Sequence, residues 1–203
     1  MDYDKRLIAG KLRRWEKYME SYKLPVWEDI PNIGLYMNQV ISMIKEYLDY
    51  MPPELKGEEF ITSATVNNYV RKKIMPEPKD RKYYRIHIVY LIMICSLKQS
   101  LSIPLIQTII PLGLSEHELK DIYNVYVKQH QLGIMYFIKQ VRMAAGGILD
   151  HEDKSALSTD RTSDLILTMT VVGGLTKLLA EKLLMLEGKT LENGGSIEIE
   201  ERK

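Results

Sequence analysis

The chain has 203 residues, of which 45% are hydrophobic and 27% charged, with a formal net charge of +1 and one cysteine. This composition suits a chain that buries a core and is unlike a disordered one, and a lone cysteine excludes an internal disulfide. The near-neutral total conceals an uneven distribution: residues 60–100 carry eight Lys/Arg against two acids, a net of +6, whereas residues 1–59 net −2 and residues 101–203 net −3.

Residues 4–24 read as a helix, because Ile8, Leu12, Trp15, Met19 and Tyr22 recur at three- and four-residue steps and build one apolar stripe. Residues 25–34, with two prolines and a glycine, read as a connector. A second helix is expected over 35–51, with Met37, Val40, Ile44, Tyr47 and Met51 on one face, ended by Pro52 and Pro53. After a polar loop at 54–61, Thr62 is placed to cap a short third helix reaching about Lys73. Val66, Val70 and Ile74 lie on one side of it; Asn67, Asn68, Arg71 and Lys72 fall on the others. Pro76 and Pro78 stop any helix through 75–84, so this stretch reads as a short hairpin or extended loop.

Residues 85–99 form an apolar fourth helix that encloses Cys95, a core thiol by its surroundings. Ser102 opens a short fifth helix that Pro111 stops. Ser115 and Glu118 make a Ser-x-x-Glu capping box for a long helix to about residue 145, striped by Leu119, Ile122 and Tyr126, then by Ile134, Phe137, Ile138 and Val141. Gly146 and Gly147 end it. Residues 148–162 read as a polar loop, 163–186 as a last apolar helix, and 188–203 as a tail or weak hairpin in which Ile197 and Ile199 alternate with acids. The N-terminus lacks the apolar centre of a secretory signal. Lys177, Glu181 and Lys182 interrupt the last helix before the ~20 apolar residues a membrane span needs. The expectation is a cytoplasmic protein with no membrane partner.

The basic segment is patterned for a polyanion. A helix that reads a duplex needs an apolar anchor, small polar residues for base edges and flanking cations for phosphates. Val66, Val70 and Ile74 supply the anchor, Thr65, Asn67 and Asn68 the polar reach, and Arg71, Lys72 and Lys73 the charge. Lys79, Arg81, Lys82, Tyr83, Tyr84 and Arg85 follow, as a wing lying along phosphates would carry them. Elsewhere the chemistry is thin. Asp150, His151, Glu152 and Asp153 lack the alternation and closing glutamate of a Ca²⁺ loop and read as solvated. His87, His117, His130 and His151 are scattered, with His117 structural at its capping box, and no nucleophile elbow or phosphate loop accompanies them. No catalytic set, metal site or cofactor is expected.

The segment resembles the MerR-like winged helix-turn-helix. Thr65-Val66-Asn67-Asn68-Tyr69 matches the family's recognition helix, Arg81-Lys82-Tyr83 the end of its wing, residues 88–94 its third motif, and Ser102-Ile103-Pro104-Leu105-Ile106 its last helix start. The likeness covers residues 35–111. It departs from the family at Asn67, where an arginine is usual, and in the longer loop at 52–61. It implies that Tyr69, Arg81 and Tyr83 touch phosphates and that Thr65, Asn67 and Asn68 face the groove. VWEDIPNIGLYMNQV and VNNYV…KYY…LKQSLSI are closer still to an uncharacterised domain-of-unknown-function family of Gram-positive bacteria.

The resulting expectation is a mainly α chain with a winged helix-turn-helix (MerR-like) core and a C-terminal helical extension. Residues 1–34 form an N-terminal helix and connector, 35–111 the DNA-binding domain, 112–187 a dimerisation or effector region, and 188–203 a tail. Its function would be sequence-specific binding of double-stranded DNA by a homodimeric transcriptional regulator. Two other readings stay open: a protein-interaction module on the same scaffold, and a helical sensor of a small apolar effector whose Met and Tyr side chains line a pocket.

Overall fold

The computed structural model describes residues 4–50, 60–144, 162–184, 186 and 188–197. Among these residues the chain is mainly helical, with seven α-helices: α1 (Lys5–Ser21), α2 (Met37–Tyr47), α3 (Ser63–Arg71), α4 (Arg85–Leu97), α5 (Ile103–Ile109), α6 (Glu116–Ala144) and α7 (Thr162–Leu184). One 3-10 turn, Trp27–Asp29, interrupts the connector. No described helix is long and apolar enough to cross a membrane. The chain divides into two compact units, residues 24–130 and residues 1–23 with 131–203.

The 24–130 unit is built around α4. From His87 to Cys95 every residue of this helix is buried, as is Leu97, which is what a helix apolar on all sides requires. It contacts α2 and α5, and α2 contacts α3. From α2 come the buried Val40 and Ile44, with Leu48 just beyond it. From the first part of α6 come Leu119, Tyr123 and Tyr126. Buried tyrosines need somewhere to place their hydroxyls. Tyr90 donates to the Pro111 carbonyl at 2.7 Å and Tyr123 to the Pro25 carbonyl at 2.8 Å. The capping box expected at the start of α6 is formed: Glu118 accepts from the Ser115 amide at 2.8 Å and hydroxyl at 2.7 Å, and the Glu118 amide donates back at 3.3 Å. These bonds hold the Glu118 carboxyl below its usual range. His117 is fully in solvent, 3.6 Å from Asp121, so its expected structural role at the cap is corrected: the box closes without it.

The other unit holds α1, the second part of α6 and α7, with the Lys182 ammonium of α7 5.6 Å from the centre of the Trp15 ring of α1. Asp4 caps α1, accepting from the Arg6 and Leu7 amides at 2.9 and 3.0 Å. The predicted stripe is in the core at Ile8, Leu12, Met19 and Tyr22, as are Ile134, Phe137, Ile138 and Val141. Trp15 meets Phe137 edge-on at 5.1 Å. Residues 188–197 form no strand, so the hairpin alternative for the tail finds no support there. They lie along α1 instead, with Arg14 donating to the Ser196 carbonyl at 3.0 Å. Residues 148–161 of the predicted 148–162 loop, the glycines at 146 and 147, residues 51–53 and Ile199 lie outside the described residues.

Candidate functional site

The basic segment is set on the 24–130 unit by a chain of local bonds. At the start of α3, the Thr62 hydroxyl accepts the Thr65 amide at 3.1 Å and lies 2.9 Å from the Thr65 hydroxyl. Val66 and Tyr69 turn inward, together with Ile74 just past the helix end. The outer side carries Asn67, Arg71 and Lys72, all exposed. Asn68 is half-buried and accepts from the Arg71 guanidinium at 3.0 Å, so one groove-facing candidate orients another.

The end of α3 is a Schellman motif. The Ile74 amide bonds the Tyr69 carbonyl at 2.8 Å and the Lys73 amide bonds the Val70 carbonyl at 2.9 Å. That closure demands a left-handed residue at its turning point, ordinarily glycine. Here it is Lys73, at φ 53°. Its carbonyl accepts from Gln107 on α5 at 3.1 Å.

Two buried residues, Ile74 and Met75, lead into the proline segment. A short hairpin or extended loop, serving as a wing, was expected over 75–84; no strand forms there, and the pairing consists of two isolated antiparallel bridges, Lys79 with Lys82 and Leu35 with Tyr83. The physical reason is in the chain: Pro76 and Pro78 have no N–H to offer a ladder. What remains is one tight turn. Lys79 and Lys82 exchange both backbone bonds, at 3.0 and 2.9 Å, across Asp80 (φ 51°) and Arg81 (φ 60°). Two successive left-handed residues mark a type I′ turn, the twist-matched connection of a hairpin. Lys79, Asp80 and Arg81 are exposed at its tip.

His87 anchors the approach to this turn. Its Nδ1 accepts the Tyr84 amide at 2.9 Å, so the proton sits on Nε2, which lies 2.9 Å from the Glu77 carbonyl and donates to it. Burial lowers its pKa from the ordinary value. One neutral histidine thus caps α4 and pins the strand-like segment before the turn.

The twelve residues predicted to face nucleic acid divide by exposure. Asn67, Arg71, Lys72, Lys73, Lys79 and Arg81 are exposed; Thr65, Asn68, Lys82 and Arg85 are half-buried. Tyr69 and Tyr83, which the resemblance implied as phosphate contacts, are the least exposed of the twelve. They are 6% and 3% exposed, because both rings are needed in the core. Burial pushes the Tyr69 hydroxyl up to about 12, and the Lys98 ammonium lies 3.4 Å from it. Arg85 is turned inward too: its Nε donates to the Ile30 carbonyl at 2.7 Å and its guanidinium lies 5.6 Å from the Trp27 ring centre. Sequence reasoning set Tyr83 and Tyr84 side by side. With the Tyr83 backbone bridged to Leu35, alternation sends Tyr83 in and leaves Tyr84 half-exposed.

No exposed cation of this group forms an ion pair with a described carboxylate. Lys79 is six residue steps beyond Lys73, so the two clusters of charge lie within about 22 Å of each other. All three non-glycine residues with positive φ among the described residues, Lys73, Asp80 and Arg81, fall here.

A second polar cluster lies in the core of the same unit. His130 is buried with its Nε2 3.5 Å from the Tyr50 hydroxyl, beside the Tyr126 ring. Burial drives His130 down to about 3 and Tyr50 up to about 12. The Tyr126 hydroxyl finds no hydrogen-bond partner among the described residues. Among the same residues no three His, Cys, Asp or Glu side chains could hold a metal ion; the 150–153 cluster lies outside them.

One family model, described as "Domain of unknown function (DUF1836)", matches residues 25–142. No curated protein and no solved structure matches the chain.

Proposed function

The chain belongs to the DUF1836 family, and on the surface that its matched region presents we propose a sequence-specific DNA-binding transcriptional regulator. In this reading the 24–130 unit is a MerR-like winged helix-turn-helix in which α3 is the reading helix and the Lys79–Lys82 turn a wing cut down to its tip. Asn67, and Asn68 and Thr65 behind it, reach base edges; asparagine suits the adenine edge. Arg71, Lys72, Lys73, Lys79 and Arg81 neutralise phosphates. The regulator acts as a homodimer through α6, which would match a two-fold symmetric operator.

The observation that carries this reading is the coincidence of charge and strain. Five exposed cations lack a described carboxylate partner, and two of them, Lys73 and Arg81, with Asp80 beside Arg81, occupy a backbone region that L side chains avoid. Such strain persists where the surrounding structure over-determines it, and it concentrates at functional surfaces.

The test is retardation of random-sequence duplex DNA at ~50 mM salt, followed by selection of bound sites from a random library. The wild type is expected to retard the duplex and to enrich one motif. Arg71→Ala with Lys72→Ala abolishes both. Absence of retardation by the wild type at this salt overturns the proposal in favour of a protein-interaction surface.

A further inference from the structure

Lys82 does not project freely from the basic turn. Its side chain crosses the backbone of the connector at Gly34. A Cβ on Gly34 would lie 2.6 Å from the Lys82 Cδ, 3.2 Å from its Cβ and 3.2 Å from the Tyr84 hydroxyl. Beyond that crossing, the Lys82 ammonium stands 5.8 Å from the centre of the Tyr36 ring. Tyr36 is 61% exposed and Ile33, at the connector's bend, 62%, whereas Leu35 between them is buried. The two backbones are locked together by the Leu35–Tyr83 bridge, whose bonds are 2.9 and 2.8 Å. Alternation about that bridge puts Gly34 and Tyr36 on one side and Leu35 on the other.

From this juxtaposition we infer that Tyr36, Lys82 and Tyr84 form a second arm of the polyanion surface, and that the arm grips the sugar–phosphate backbone of a duplex beside the turn. The inference rests on the DNA-binding reading of the basic segment and extends it to a part of the chain, residues 33–36, that carries no positive charge of its own. The chemistry suits such a partner. A tyrosine hydroxyl donates to a phosphate oxygen and the ring lies against deoxyribose, while the ammonium above it supplies the neutralising charge. Gly34 is a positioning residue: only a bare α-carbon lets the lysine stem cross and brings its ammonium to the ring. An exposed aromatic costs a free protein solubility, and holding it under a lysine keeps it hydrated at one edge and ready for a charged partner.

The experiment measures affinity for a random duplex against salt for the whole chain, four variants of the arm and the Arg71→Ala/Lys72→Ala double variant. Tyr36→Ala is expected to lower affinity about tenfold with the salt slope unchanged, since it removes a neutral donor. Lys82→Gln is expected to flatten the log–log slope by about 0.9. Tyr36→Phe, which keeps the ring, retains most of the tenfold loss, and Gly34→Ala weakens binding although it removes no charge. Tyr36 is exposed, so the unfolding temperatures of the two Tyr36 variants stay at the wild-type value. The inference is overturned, with the DNA-binding reading intact, if Tyr36→Ala and Lys82→Gln bind like the wild type while the Arg71/Lys72 double variant does not. It falls together with that reading if the wild type binds no duplex at all.

Discussion

Lys73 lets strain and charge be separated in one side chain. Its φ of 53° is imposed by the two bonds that close α3, Ile74 amide to Tyr69 carbonyl and Lys73 amide to Val70 carbonyl. A non-glycine residue in the left-handed region costs about 1–2 kcal/mol, while a glycine there loses about 0.5–1 kcal/mol through its freer unfolded chain. Lys73→Gly should therefore raise stability by about 0.5–1 kcal/mol, a gain of roughly 2–6 °C in Tm for a unit of this size. Lys73→Ala relieves little of the strain and should leave Tm near the wild-type value or slightly lower. In the DNA-binding reading both variants lose one phosphate contact, so both flatten the salt slope by about 0.9. Thermal unfolding followed by circular dichroism, with duplex titrations at four salt concentrations, reads the two effects separately. A Lys73→Gly protein that melts below the wild type would refute the strain argument. A slope unchanged in both variants would remove Lys73 from the interface.

Three further outcomes follow from the buried groups. Tyr69→Phe should lower stability by about 0.5–1.5 kcal/mol, from loss of a hydroxyl near the Lys98 ammonium, and leave duplex affinity within about twofold; a large affinity loss would return Tyr69 to the phosphate-contacting role that its burial denies. His130 stays neutral when folded, down to about pH 3, but titrates near 6.5 once unfolded. Its contribution is therefore complete above pH 6.5 and drains as pH falls from 6.5 towards 3, by about 1.4 kcal/mol per pH unit. Urea unfolding at pH 6.5 and 5 should show it, and His130→Leu should flatten the fall; an equal slope in that variant would refute the assignment. Arg142 bonds both Glu16 and Glu20 from its Nη2 and Glu16 again from its Nε, at 2.9 Å. Arg142→Met, which leaves Glu16 largely enclosed without its partner, should cost about 1–2 kcal/mol after allowing for solvent screening, read as a Tm shift that 0.5 M salt reproduces only in part.

The sequence by itself determined the helices and their inward faces. Period-3.6 stripes put Ile8, Leu12, Val40, Ile44, Val66, Leu119 and Phe137 in the core, because side chains three or four apart share a face wherever the backbone is helical. Caps at Thr62 and Ser115 were equally legible, since each is a bond between neighbours in the chain. The fate of individual polar residues was decided only by tertiary structure. Tyr69 and Tyr83 look like surface tyrosines in a basic run, yet the core claims both rings. Arg85 is spent on the Ile30 carbonyl, fifty-five residues away. The juxtaposition of Gly34 and Tyr36 with Lys82 arises from a backbone bridge that joins residues 35 and 83. Local pattern encodes which way a helix faces, but hydrogen bonds and ring contacts between distant segments have no period to read, and they choose which tyrosine and which cation remain outside.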